Sequence, residues 1–276
     1  MIVAIITVYF PDVQQVENSK VISERADRVF ICDNSPNDNS LLFKNISNCT
    51  YNYFGKNLGI SRAFNYIFNN NTFSDDDYII FFDQDSKIET NHINSLITDF
   101  DKINSSMQNI ACIGPLFFDE SSNKINMSNK KISEVNQIIT SSMLTKYYLL
   151  KNINFWNENL FLDLADWDLC WRWKKAGYKC YITGNVIMKH KLGEGIKKIG
   201  NFELKVGKPF REYYQNRDGL YLLKKDYVPL RMRIRFILNI TVRNLLHIFF
   251  LDYKKERIKF ILRAFKDNRR NYHGEL

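Results

Sequence analysis

Phe81-Phe82-Asp83-Gln84-Asp85-Ser86 sets two carboxylates one residue apart, directly after an apolar run. Alternate side chains of a strand point the same way, so Asp83 and Asp85 can share one ligand. Their oxygens suit a hard divalent cation, Mn2+ or Mg2+, with substrate phosphates completing its shell. A lone D-x-D is usually a solvated turn, but its place at the end of a buried strand favours the cation site. A second acidic run, Asp163-Leu164-Ala165-Asp166-Trp167-Asp168-Leu169-Cys170-Trp171-Arg172, opens a helix, where carboxylates meet the positive end of the dipole. Asp168 has Arg172 four residues on, an ordinary helix ion pair. Asp166 has Trp167, Trp171 and Trp173 around it. Such an apolar surround raises a carboxylate toward the working range of a general base, with Asp163 the next candidate.

Two weaker signals accompany these. His190 follows an apolar run and precedes a loop containing Gly193, Gly195 and Gly200. A lone histidine is more often structural, yet a neutral imidazole facing the same crevice would add a ligand for an Mn2+-type ion. In Asn57-Leu58-Gly59-Ile60-Ser61-Arg62, Gly59 at a helix start allows close backbone approach to an anion, and Arg62 adds charge near a diphosphate. An ordinary capped helix is the alternative.

These residues need elements to place them, and the first half of the chain supplies a strand–helix rhythm. Ile2 to Val8 is a continuous apolar run, as a buried parallel strand should be. A helix from Val13 to Arg25 follows, then strands over Arg28 to Cys32 and Thr50 to Phe54. A helix over Ile60 to Phe68 and a strand over Tyr78 to Phe82 complete the half. The alternation predicts an α/β fold with a mostly parallel, Rossmann-like sheet and helices on both faces. Ligands of such sheets sit beyond the carboxyl ends of the strands, where Thr7, Tyr9, Asp33 and Asp83 all fall. Farther along, strands are expected over Ile110 to Phe118, Gln137 to Thr145 and Lys179 to Met188, with a loop over Asn123 to Glu134. Asp166 to Ala176 reads as a helix stopped by Gly177, and His190 opens a polar loop.

Composition narrows the class. The 276 residues are 45% hydrophobic and 14% aromatic, enough to bury a core and too apolar for disorder. The net charge of +9 calls for an anionic partner, while two acidic clusters within a basic protein suggest a cation. Nothing resembles a nucleic-acid-binding motif, so a nucleic-acid-binding protein is the non-enzyme alternative without a motif to carry it. The five cysteines form no C-x-x-C pair; a reducing compartment is expected, and neither a zinc site nor a disulfide framework. The N-terminus reads as a strand and not as a signal peptide. Phe236 to Leu251, broken by Arg243 and His247, is too short and too charged to span a bilayer.

The order Thr7-Val8-Tyr9-Phe10-Pro11, Cys32-Asp33-Asn34-Ser35, Asn57-Leu58-Gly59-Ile60, Asp83-Gln84-Asp85-Ser86, Phe161-Leu162-Asp163 to Arg172 and Gly177-Tyr178 resembles the family-two inverting glycosyltransferases of the GT-A fold. It looks most like the bacterial rhamnosyltransferases of polysaccharide and O-antigen assembly. Phe210-Arg211-Glu212-Tyr213-Tyr214-Gln215-Asn216-Arg217-Asp218 is similar to that group's R-x-Y-Y-x-x-R-N segment, with Asp218 replacing Asn. The resemblance implies a nucleotide-sugar donor, dTDP-rhamnose, with UDP-galactofuranose or a UDP-hexose as the alternative, and a saccharide acceptor carried on lipid. It implies that Asp33 holds the N3–H of the base, that Thr7 and Tyr9 line the base pocket, and that Asp83 lies near ribose and metal. Asp85 and His190 would ligate the metal, and Asp166 would be the catalytic base. Asn57, Gly59 and Arg62 would face the donor, and Asp163, Trp167, Arg211, Tyr214 and Arg217 the acceptor or diphosphate side. Two positions depart from the family: Asp168 stands where Glu is frequent, and Ser141-Ser142 where a Ser-Gly pair is.

A GT-A domain is thus expected over 1–208, with an acceptor-side half, and a basic amphipathic helical region over 209–276. In that region Lys224, Lys225, Arg231, Arg233 and Arg235 precede apolar positions from Phe236 to Phe250, and Lys254 to Arg263 repeats the pattern. Basic charge beside apolar area is what an interfacial helix needs, which predicts a protein on the cytoplasmic face of an anionic membrane. Helices that simply pack on the catalytic domain, with their Lys and Arg solvated, are the alternative.

Overall fold

A computed structural model describes residues 1–107, 109–119, 124–125, 132–190, 195–199 and 202–276. Strand β1 (Ile2–Val8) is buried along almost its whole length because it lies between two parallel neighbours, β2 (Arg28–Asp33) and β4 (Tyr78–Asp83). Its Ile- and Val-rich run, Ile2 to Val8, is the sequence of a strand covered on both faces. β3 (Cys49–Tyr53) is parallel to β2 at the sheet edge, and none of its residues is fully buried, as fits that place. Helix α1 (Val13–Ser23) starts on a capping box: Asp12 Oδ1 accepts from the Gln15 amide at 2.8 Å, and Gln15 Oε1 accepts from the Asp12 amide at 2.9 Å. A short α2 (Ser40–Phe43) precedes β3, and α3 (Ile60–Asn70) packs Ala63, Phe64, Ile67 and Phe68 inward at helical spacing.

The second half departs from a parallel sheet. Helix α4 (His92–Met107) buries Ile93, Leu96, Phe100 and Ile103 and leads to β5 (Ile110–Asp119). β6 (Lys124–Ile125) pairs antiparallel with β5, β7 (Ile132–Val135) with β9, and β8 (Met143–Lys146) with both β4 and β5. After α5 (Tyr147–Lys151) and α6 (Ala165–Lys175), β9 (Lys179–His190) runs parallel to β5. The order across the main sheet is β3-β2-β1-β4-β8-β5-β9-β7, with β6 beside β5. The sheet is parallel from β3 to β4 and mixed beyond.

Three expectations are therefore corrected. The stretch from Asn123 to Glu134 is not all loop, since β6 and β7 lie in it. Of the strand expected over Gln137 to Thr145, only its end is β8. The segment before it bends at Ser142, whose φ of +61° ends extended pairing. The polar stretch after His190 contains an antiparallel hairpin of β10 (Gly195–Ile199) and β11 (Phe202–Val206).

Helices complete the chain: α7 (Pro209–Leu222), α8 (Leu230–Leu238), a π-helical turn (Asn239–Arg243), α9 (Asn244–Phe250) and α10 (Lys254–Arg269). Among the described residues, no helix is long and apolar enough to cross a membrane. α7 is joined to α9 and α10 by buried polar bonds. The Tyr213 hydroxyl donates to Asp267 at 2.8 Å, and Glu212 meets both Arg257 and His247. The five cysteines are free thiols, and Cys112, Cys170 and Cys180 converge from β5, α6 and β9, each buried. A search for C-x-x-C cannot find three thiols on three elements.

Candidate active site

In-register pairing brings the carboxyl ends of three strands together. Thr7 lies opposite Asp83 across β1 and β4, and Val8 opposite Asp33 across β1 and β2. Above them opens a cleft of about 530 Å³ whose lining includes Thr7, Tyr9, Asn34, Asn57, Gly59 and Asp83. Its far wall comes from Phe161, Leu162, Phe210, Arg211 and Tyr214, with Glu275 and Leu276 at its edge. Thr7, Tyr9, Asn57, Gly59, Asp83, Arg211 and Tyr214, named from sequence, thus share one crevice.

The acidic turn is held from below. β4 ends at Asp83, so Asp85 stands on the following turn and not on a strand continuing past it. Strand alternation is therefore not what relates the two carboxylates; the turn is. The Asp83 amide donates to Ser86 Oγ at 3.1 Å, the Ser86 amide to the Asp83 carbonyl at 3.0 Å, and Ser86 Oγ lies 2.7 Å from Ser141 Oγ. Beside it Ser142 Oγ bonds His92 Nε2 at 2.9 Å. Burial pushes His92 down to about 4, which leaves a neutral ring. Ser142, where the family pattern has Gly, adopts a left-handed conformation that suits glycine. Gln84, missed from sequence, accepts the Tyr9 amide at 2.7 Å and so joins the turn to β1.

Charge concentrates here. Burial pushes the Asp83 carboxyl up to about 6, Asp85 adds to the rise, and Arg211 opposes it. Such a pair is a donor set that a divalent cation would fit, since it offers hard oxygens and negative charge that Arg211 only partly offsets. His190 ends β9 with its backbone opposite Asp119, and its side chain lies outside the described residues.

Asp166 lies in the first turn of α6, after Leu164 with φ +73°, an unusual conformation for leucine that costs roughly 1–3 kcal/mol. Burial first, then Cys170, Asp163 and Asp83, push its carboxyl well above the usual range, against the Trp167 amide that donates to Oδ1 at 2.8 Å. Arg211 lines the cleft with Asp83 and pairs with Asp163, which links the two acidic runs. Asp163 precedes the helix and is held by Gln215 at 2.9 Å and Arg211 at 3.5 Å. Asp168 pairs with Arg172 at 2.7 Å, as its spacing predicts, and also accepts from the Tyr227 hydroxyl at 2.6 Å. Trp167 is half-buried, with the Arg235 guanidinium 5.5 Å from its ring centroid.

Four residues stand differently from their sequence reading. Asp33 is fully buried: Oδ1 accepts from the Ser35 amide and Oδ2 from Asn39, both at 2.8 Å, and Oδ2 also accepts from the Tyr51 hydroxyl. Its neighbour Asn34 lines the cleft instead. Gly59, at φ +76°, makes room for protein and not for an anion, since a Cβ there would lie 2.4 Å from the Phe161 carbonyl oxygen. The Leu58, Gly59 and Ile60 amides already donate to Asn34, Asn57 and Phe161. Arg62 is exposed and is not among the cleft's lining. Arg217 is fully buried, paired with Asp218 at 2.7 Å and donating to the Gly274 carbonyl at 2.6 Å, so it braces α7 and presents no surface to a ligand.

With the geometry in hand, comparison gives it a kinship. A dTDP-rhamnosyl transferase, RfbF, of Shigella flexneri is 28% identical over 236 residues, covering 80% of this chain and 78% of the relative. The crystal structure of GalNAc-T7 with UDP, GalNAc and Mn2+ superposes at a TM-score of 0.56 with 9% identity, over 89% of this chain. The chain spans 57% of the length of that structure. No protein-family model matches. The fold is that of the GT-A glycosyltransferases, and the resemblance carried by the order of motifs is borne out in sequence and in fold.

Proposed function

We propose that the protein is an inverting glycosyltransferase that moves rhamnose from dTDP-rhamnose to a hydroxyl of a lipid-linked saccharide, at the inner face of the cell membrane. Residues 1–208 carry the sheet and the acidic residues, and 209–276 add helices, of which α7 also contributes Phe210, Arg211 and Tyr214 to the cleft. The observation that carries the reading is a cleft at the strand ends lined by Asp83 and Arg211, with Asp85 on the turn after Asp83 and with Arg211 also paired to Asp163, which precedes the helix that carries Asp166. Its companion is the 28% identity to a dTDP-rhamnosyl transferase.

In this reading Thr7, Tyr9 and Asn34 bound the nucleoside end of the cleft, and Arg211 faces the diphosphate. Asp83 and Asp85, with His190 as a further ligand, would hold Mn2+ or Mg2+, whose positive charge favours departure of the diphosphate. Asp166 takes the proton of the acceptor hydroxyl while that oxygen bonds to the anomeric carbon from the face opposite the diphosphate. The bond from the anomeric carbon to the diphosphate breaks with its electron pair, and nucleoside diphosphate leaves. The raised affinity of Asp166 for a proton suits this task.

The test is a panel of nucleotide sugars, each with Mn2+, Mg2+ or chelator, read by thermal shift and by release of nucleoside diphosphate. Selective stabilisation by dTDP-rhamnose with metal is the expected result. Preference for a UDP-sugar would replace the donor, and no response to any nucleotide sugar would remove the reading.

A further inference from the structure

The helices after α7 have two faces. One packs inward through Met232, Phe236, Asn244, His247, Arg257 and Ile261, all buried. The other is apolar and uncovered. Leu230 is 73% exposed, Phe249 67% and Leu262 64%, and Ile234, Ile237 and Leu245 each more than half. Packing on the domain therefore accounts for the first face only. Single exposed apolar side chains are ordinary, but a run of them along successive helices marks an interaction surface.

The geometry points to an anionic lipid bilayer as the partner of this face, with α8, the π-helical turn, α9 and the first ten residues of α10, to Arg263, lying in the interface plane. Charge selects this occupant. Arg231, Arg235, Lys254, Lys255, Lys259 and Arg263 are exposed among the apolar residues, against the exposed acids Asp252 and Glu256. A cationic surround with an apolar centre matches anionic head groups over acyl chains, and each cation near such a surface adds to the hold. A second copy of the chain fits less well, because an isologous contact sets the same patch against itself and brings like charges together. Among the described residues no helix can cross the bilayer, so the contact is interfacial.

The face also begins beside the candidate base. Arg235 lies over Trp167, and Phe236 packs 6.1 Å from Trp171, both on the helix that carries Asp166. A bilayer seated here presents a membrane-borne acceptor next to Asp166; this last point alone rests on the sugar-transfer reading.

The experiment is flotation of the full chain with vesicles of phosphatidylglycerol and phosphatidylcholine, or of phosphatidylcholine alone, at low and high salt. Wild type floats with the anionic vesicles, and binding falls as salt rises. Ile237→Glu with Phe249→Glu, and separately Lys254→Glu with Lys255→Glu, each lower partitioning by about tenfold or more. Both variants keep the wild-type melting temperature and metal-dependent binding of dTDP-rhamnose, which reads the cleft independently of the surface. Wild type that stays at the bottom at low salt, or variants that float as well as wild type, would overturn the assignment. So would a dimer in light scattering that both variants dissociate while vesicle binding is absent, since the face would then belong to a second copy. Loss of donor binding in wild type, with flotation intact, would strike the proposed function and leave the docking surface standing.

Discussion

The Phe161 carbonyl oxygen stands where a Cβ on Gly59 would need to be, only 2.4 Å from it, and accepts the Ile60 amide at 2.9 Å. This contact locks the start of α3 to the segment that leads into α6, so it ties the part of the cleft lined by Asn57 and Gly59 to the part lined by Phe161 and Leu162. Gly59→Ala meets both a left-handed backbone and a backbone atom that cannot swing aside. Destabilisation of about 2–4 kcal/mol is expected in urea unfolding, with donor affinity reduced as well. A variant as stable as wild type would show that the Phe161 segment yields easily.

Asp166→Asn preserves shape and the bond from the Trp167 amide but cannot accept a proton. Donor binding should remain within about threefold of wild type, while turnover falls by roughly 10²–10⁴. Asp163→Asn weakens the Arg211 and Gln215 contacts and should affect donor affinity more than turnover. Near-normal transfer by Asp166→Asn, with loss in Asp163→Asn, would exchange the two roles.

Asp218 titrates where it can be followed by stability. Burial pushes its carboxyl up to about 7, against the opposing charge and hydrogen bond of Arg217. A folded-state value above the unfolded one, roughly 3.9, means the folded state holds the proton more tightly. That contribution to stability is complete below about pH 4 and is lost as pH rises through 7. Wild type should therefore lose melting temperature between pH 5 and 8 by more than Asp218→Asn does, in matched buffers. Equal slopes for the two proteins would place the titration elsewhere.

The first half of the site was legible because its signals are local. Apolar runs ending in Thr7, Asp33 and Asp83 are what parallel strands covered on both faces look like, and register then sets those ends side by side. Asp168 with Arg172 was legible for the same reason, being one helical turn apart. What escaped depends on distant chain. Asp33 reads as a free carboxylate until Asn39 and Tyr51 fold onto it, and Arg217 reads as a ligand cation until Asp218, Tyr213 and the Gly274 carbonyl enclose it. The pair β10 and β11 is only half legible: Phe202 to Val206 alternates apolar with charged residues, whereas Gly195 to Ile199 does not. α4 was legible in principle, since Ile93, Leu96, Phe100 and Ile103 stand at helical spacing. The support that Ser141, Ser142 and His92 give the acidic turn leaves no pattern in sequence, since it joins residues some fifty positions apart.

The central claim is that Asp83 and Asp85 bind a divalent cation together with the diphosphate of a sugar nucleotide. Titration calorimetry of dTDP-rhamnose into wild type and Asp85→Ala, each with Mn2+ and with chelator, tests it most directly. Wild type should bind with Mn2+ and weaken by at least tenfold, about 1.4 kcal/mol, when the metal is chelated. Asp85→Ala should bind equally weakly in both conditions. Unchanged donor affinity in Asp85→Ala, with and without chelator, would contradict the account.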